Sequence, residues 1–476
     1  MYLPVATAAV ALRAIPEVLA GEYPVGFDTL ATYPYLIQSF PNWTLNAAMA
    51  WGPLFFGLVW GIHHVTGMSI MLLLKMLGPT LYSIFALSFA LFLRKYLGWG
   101  NRETLVGSLI LIFQPVTLRL SWDLFRNEMG LSLVFLSLVV FRSGSRLRNY
   151  YLACLSMLVV LTHQLSTIIL FSAIGGILIF EKRARSSFLA LLPSVVLFLT
   201  TTIWLGSGLA ESSWFDPTSS QRVLTFQSSP SLLTNVFSQD FRFSGGTAID
   251  VLAYVSALFL YCFIPLLFWA LKGVFHEPAL TTSTVALLIG SFSVILLPTA
   301  SIPLYWRWEI MLVIPFAIYS AHGMRIFALQ FPKRSQVLKI FFLLYIVLGT
   351  GYASGLFSYM YGSAVNSYMP GTMVQSSVKI DRVDQIAPCI SWLNHFAPTR
   401  SLLVTDERFY ALAMMIARPD IKIALQPGGS YQSTFFERIR MSNQSPIFVI
   451  DDSVITTADV SLVHVEGGIV VLEYLH

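Results

Sequence analysis

The sequence predicts an α-helical polytopic membrane protein with a small C-terminal α/β domain, and three observations predict it. Of 476 residues, 56% are hydrophobic and only 11% charged, against about 25% charged in soluble domains. So few charges cannot coat a globule of this size, so lipid must cover much of its surface. Apolar runs long enough to enter a bilayer recur along the chain, and the basic residues fall in alternate loops. The net charge of +5 is loop charge that sets orientation, and no basic cluster joins an aromatic platform that would suit nucleic acid.

The first segment, Met1 to Ala20, contains Arg13 and Pro16 and lacks the basic start and small-residue cleavage site of a signal peptide. Later candidate spans are Met68 to Leu93, Leu105 to Leu118, Met129 to Phe141, Tyr150 to Leu161, Leu165 to Phe180 and Phe188 to Leu205. Val251 to Leu271, Ala279 to Leu297, Ile310 to Ala328 and Val337 to Tyr352 follow. Together they give about eleven spans.

Arg94, Lys95 and Arg102 form one basic loop; Arg142, Arg146 and Arg148 another; Lys182, Arg183 and Arg185 a third. Lys272 and the group Arg325, Lys333 and Arg334 complete the set. The positive-inside rule makes these loops and the N-terminus cytoplasmic. The parity requires Ala47 to Val65 to lie on the outer surface as a helix, with Trp51, Trp60, His63 and His64 at headgroup level. Residues 1–353 are then a membrane domain with a first outer loop at 21–67 and a second at 206–249, and residues 354–476 form an extracytoplasmic domain.

That tail alternates helix (Gln385 to Phe396, Arg408 to Ile416, Gln432 to Met441) with strand (Ser401 to Thr405, Ile421 to Ala424, Pro446 to Ile450). The rhythm predicts a small α/β domain with a mainly parallel sheet. Gly428-Gly429 alone is no phosphate fingerprint. Cys154, Cys262 and Cys389 are scattered, without metal-ligand spacing.

Ionisable residues gather at the span ends on the predicted outer side. A charge near the membrane is costly unless paired or in a wet cavity, which makes each a functional candidate. Asp28 follows a Pro24–Gly26 turn, with Tyr33 and Tyr35 beyond it; it also suits the cap of a helix beginning at Thr29. On one helix Asp123, Arg126 and Asn127 would share a face, although Asp123 as a cap paired to Arg126 fits equally well. His163 and Gln164 sit in a hairpin between two spans too short for a loop. Arg307, against the charge bias, opens a late span beside Glu309; its planar fork suits a phosphate, and pairing with Glu309 is the other reading.

At these motifs the chain resembles the GT-C class of membrane glycosyltransferases, nearest the prokaryotic mannosyltransferase-like group. The likeness rests on Pro24 to Asp28 with Tyr33, the Trp122-Asp123-Leu-Phe-Arg126-Asn127 block, the Leu-Thr-His163-Gln hairpin, and Arg307 before a span containing Pro315 and Gly323. The resemblance implies a catalytic aspartate at Asp28 and a polyprenyl-phosphate or polyprenyl-diphosphate sugar as donor. Asp123 is the second catalytic candidate, with Tyr33, Arg126, Asn127, His163, Gln164, Arg307 and Glu309 binding substrate. Members often carry an adjacent acidic pair in the first loop, whereas Phe27 and Thr29 flank a lone Asp28 here. No metal ligand is assigned, and a divalent ion stays open. The acceptor would be a glycan, lipid or protein. A transporter or lipid flippase is the rival from another class, and a glycan polymerase or ligase the rival within lipid-linked chemistry. Transporters favour internal repeats and midplane polar sites, and this sequence has neither.

Overall fold

The computed structural model describes residues 1–26, 29–30, 32–181, 187–208, 248–296, 305–354, 380–405, 410–425, 446–451, 460–466 and 469–474. Asp28, the basic loop at 182–186, most of the second outer loop and the expected helix Gln432 to Met441 lie outside the described residues.

In chain order the first helices are α1 (Tyr2–Leu19), α2 (Tyr33–Ser39), α3 (Leu45–Trp51), α4 (Pro53–Thr66) and α5 (Ile70–Leu91), which continues as a π-turn to Tyr96. Next come α6 (Asn101–Phe113), α7 (Pro115–Asp123), α8 (Phe125–Phe141), α9 (Arg148–Thr162), α10 (Gln164–Phe180) and α11 (Phe188–Gly208). The later helices are α12 (Ala248–Lys272), α13 (Pro278–Leu296), α14 (Tyr305–Met311), α15 (Val313–Gln330) and α16 (Ser335–Ala353). The tail contributes α17 (Ile380–Phe396) and α18 (Tyr410–Ile416), with strands β1 (Leu402–Thr405), β2 (Lys422–Leu425), β3 (Ile447–Asp451), β4 (Val460–Glu466) and β5 (Ile469–Tyr474). This is a membrane protein. By length and composition, Tyr2–Leu19, Ile70–Tyr96, Arg307–Gln330 and Gln336–Ala353 can each cross a bilayer among the described residues.

The chain divides into two compact units. The first comprises Met1–Ile15, Asn42–Leu58 and Leu77–Val374. In α15 Val313 to Ala321 are all buried. A helix apolar all round belongs in the middle of a bundle. It packs closely on α12 because Gly273 and Gly323 bring the two backbones together; a methyl at either would overlap the other helix. Without a hydrophobic force between helices in lipid, such small-residue contacts are what hold them. Outward, Leu260, Ile264, Phe268 and Leu271 on α12 and Val337, Ile340, Leu344 and Val347 on α16 are exposed. Spaced at helical intervals, they are lipid-facing stripes.

Three expectations need correction here. The span expected at Leu105 to Leu118 is broken: α6 and the start of α7 meet at 63°. Pro115 cannot donate a backbone hydrogen bond, and Gln114 occupies the corner. Its Nε2 donates to the Cys262 carbonyl at 2.8 Å and its Oε1 accepts from the Tyr345 hydroxyl at 2.6 Å, tying α12 and α16 to the bend. The expected surface helix Ala47 to Val65 is two helices, interrupted at Gly52. Asp123 and Arg126 do not share one helix either. Leu124, with φ −111° and ψ 44°, separates α7 from α8.

The second unit comprises Pro16–Pro41, Val59–Met76 and Gln375–His476. Its sheet has strand order β2-β1-β3-β5-β4. β1 runs parallel to β2 and β3, while β5 is antiparallel to β3 and β4. The sheet is therefore mixed, where a mainly parallel one was expected, because β4 and β5 form a hairpin that the helix–strand rhythm did not announce. α17 covers one face through Ile386, Ile390 and Leu393, which pack with Leu403, Phe448 and Val471. Each fully buried side chain of this kind contributes about 1.5–3 kcal/mol. Leu30 from the first loop belongs to the same core, with Tyr23 and Met71 packed against it.

Candidate functional site: a cation-rich hairpin end

In the second unit, the segment leading to Asp28 is tied down by two charged residues. The Glu17 carboxylate accepts the Val25 N–H at 3.1 Å. Lys75 Nζ donates to the carbonyls of Glu17 at 2.5 Å and Tyr23 at 3.0 Å, and lies 3.8 Å from the Glu17 carboxylate. This knot fixes the turn from Tyr23 to Val25. Sequence reading missed both residues, although a lysine inside an apolar run is itself a signal. Tyr33 is buried at the start of α2.

In the first unit the candidate residues converge at the junction of α9 and α10 and at the start of α8. His163 closes α9 and caps α10 in an extended conformation (φ −163°, ψ 134°). Its Nδ1 accepts the Leu165 N–H at 3.2 Å. An accepting Nδ1 leaves the neutral ring's proton on Nε2. The charges of Arg126 and Arg307 both reach this ring.

Arg126 donates to the Trp51 carbonyl and lies 5.5 Å from the centroids of both the Trp51 and Phe56 rings. Its Nε is buried without an acceptor among the described residues. A guanidinium between two aromatic faces keeps its plane and its charge. Asn127 is buried; its carbonyl accepts from Ser166 Oγ at 3.5 Å, and its side-chain nitrogen has no acceptor among the described residues. Gln164 is half-buried at the first position of α10.

Glu309 is fully buried and both its oxygens lack a hydrogen-bond partner among the described residues. The alternative reading, a pair between Arg307 and Glu309, is thus not seen among the described residues. Among the described residues no group of three or more His, Cys, Asp and Glu side chains is placed to hold a metal ion.

No protein-family pattern matches the sequence, and no curated protein matches it. Solved structures do resemble it. ArnT from Cupriavidus metallidurans in the apo state aligns over 99% of this chain and 97% of that one, with TM-score 0.56 and 12% identity. The same protein bound to undecaprenyl phosphate gives the same coverage, with TM-score 0.53 and 12% identity. The mycobacterial arabinofuranosyltransferase AftD aligns with all of this chain but 40% of its own length, at TM-score 0.51 and 14% identity. The chain therefore has the fold of the GT-C class of membrane glycosyltransferases.

Proposed function

We propose that the protein is a membrane glycosyltransferase that moves one sugar from a polyprenyl-phosphate or polyprenyl-diphosphate carrier to an acceptor on the outer face of the membrane. The observation that carries this reading is Arg126, tied to the Trp51 carbonyl beside the Trp51 and Phe56 rings, with its buried Nε lacking an acceptor among the described residues; Arg307 and His163 are proposed to join it. Two guanidinium groups and an N–H donor suit a phosphate whose charge grows as it leaves the sugar. The fold shared with an undecaprenyl-phosphate-bound enzyme supports the same chemistry.

In the proposed reaction Asp28 takes the proton from the acceptor hydroxyl, and the oxygen attacks the sugar's anomeric carbon as the bond to the carrier phosphate breaks. Arg307 and Arg126 hold the departing phosphate. The Glu17–Lys75 knot holds the turn from Tyr23 to Val25, three residues before Asp28 in the sequence. Asp123 is the second candidate base, and Tyr33, Asn127, Gln164 and Glu309 are proposed to line or support the substrate. A divalent ion is not assigned a role.

Reconstitution in lipid with a panel of polyprenyl-phosphate and polyprenyl-diphosphate sugars tests the proposal. Released carrier together with a glycosylated acceptor is the expected result. Vectorial movement of lipid or solute with no covalent product would replace it with the transporter reading, and transfer of a whole preassembled chain with the polymerase or ligase reading.

A further inference from the structure

Between α3 and α4 the chain turns sharply at Trp51-Gly52-Pro53. Gly52 is buried at φ +74° and ψ 99°, in the left-handed half of backbone space that side chains other than glycine rarely adopt. A methyl at this position would also overlap the Thr162 carbonyl. That carbonyl is backbone, immediately before His163, and cannot swing aside as a long side chain would. Glycine is therefore required twice over, by conformation and by contact.

The residue on the other side of the turn holds Arg126. Trp51 supplies both the carbonyl that accepts from Nη1 and one of the two rings flanking the guanidinium; Phe56, one turn into α4, supplies the second. The sandwich is itself braced: Phe56 packs edge-on against Trp43 at 5.2 Å, and Phe55 against Phe125 at 6.1 Å. One elbow thus touches the backbone beside His163 and the side chain of Arg126 together. Nη1 is turned to the protein, while Nε is buried and has no acceptor among the described residues, so the Nε–Nη2 edge is the part of the guanidinium still to be completed. That edge presents two parallel N–H groups, the geometry that takes two oxygens of one phosphate.

We propose that the Trp51-Gly52-Pro53 elbow is the positioning device of the anion site. It orients Arg126 for side-on pairing with a lipid phosphate and holds the His163 hairpin at the same level. Gly52 and Trp51 are positioning residues that act through Arg126. This inference rests on the glycosyltransferase reading above and names what builds its phosphate subsite.

The test is a double-mutant cycle on binding of undecaprenyl phosphate to the full chain in nanodiscs. Gly52→Ala and Arg126→Ala should each weaken binding by about tenfold or more, as loss of a charge-assisted pair does. The double variant should bind within about twofold of Arg126→Ala, because both changes remove the same interaction. Wild-type binding by Gly52→Ala, or losses that multiply in the double variant, would overturn the inference. Where Gly52→Ala does not insert, Trp51→Leu and Trp51→Phe replace it. The phenyl ring should restore most of the binding that leucine loses, and equal losses would overturn the inference. If the wild-type chain binds neither undecaprenyl phosphate nor undecaprenyl diphosphate, the glycosyltransferase reading falls and takes this one with it. If it binds but the cycle is additive, only the elbow's role is lost.

Discussion

The two ends of the helical unit treat their cations differently. α8 begins beside Arg126 and ends at Arg142; α10 begins after His163 and ends beside Glu181. Seventeen residues of helix separate the ends, about 25 Å at 1.5 Å per residue. At the far end the cations meet carboxylates. Arg142 lies 3.0 Å from Glu181 and 3.5 Å from Glu277, and Arg325 lies 3.2 Å from Glu103. Glu277 also accepts from the Tyr96 hydroxyl at 2.6 Å and from Leu280 N at 2.8 Å. At the near end Arg126 has a carbonyl and two rings, and no carboxylate among the described residues. Charges that satisfy one another fix helices and topology. A buried guanidinium edge without an acceptor is costly in a low-dielectric setting unless an acceptor from outside completes it. On the proposed reading the far end is structural and the near end chemical.

Orientation is the all-or-none way to break it. A thiol introduced at Ser143, next to Arg142, should react with an impermeant reagent only after permeabilisation. One at Ser213 should react from outside. The reverse pattern would put the cation-rich end on the cytoplasmic side and remove the proposed outer-face reaction.

Chemistry gives the next largest effect. Asp28→Asn should lower turnover by about two to four powers of ten with donor binding nearly intact, since the amide keeps the shape and cannot accept a proton. Arg307→Ala should instead weaken donor binding and turnover together, by about tenfold or more each. Arg307→Lys should recover only part, because an ammonium lacks the planar fork. Steady-state kinetics and carrier binding on the same preparations separate the two patterns. Full activity in a correctly inserted Asp28→Asn would pass the role of base to Asp123.

Much of this contrast was legible in the sequence, and the exceptions have physical causes. Apolar runs and basic loops are local signals, so α8 to α10 were placed within a few residues, and the His163 hairpin followed from the lack of room for a loop. The bend at Gln114 was not legible, because what satisfies a broken helix comes from Cys262 and Tyr345, far away in sequence. Lys75 and Glu17 were hidden by hydropathy averaged over a span, which dilutes single charges. The β4–β5 hairpin escaped because its strands follow one another without the helix that marked the others. Gly52 could have been suspected from Gly-Pro in a supposed helix, yet nothing local said that a carbonyl lay against it.

The smallest expected effect is at the paired end, and it sharpens the comparison by its size. Arg142 is about as exposed as its partner Glu181, each side chain keeping roughly two-fifths of its surface. Exposed ion pairs are worth about 0–1 kcal/mol because water screens them and two side chains must be held still. The stack of Arg142 over the Tyr96 ring, at 4.6 Å, adds a modest cation–π contribution. Arg142→Ala should therefore lower the melting temperature by only about one to three degrees. Turnover and donor affinity should stay within about twofold of wild type, since the proposed reacting groups belong to the other end. Thermal unfolding and kinetics on one sample decide it. A loss of donor binding comparable to that of Arg307→Ala would mean that the two ends are coupled, and that the far pairs set the geometry of the near cations instead of merely pinning helices.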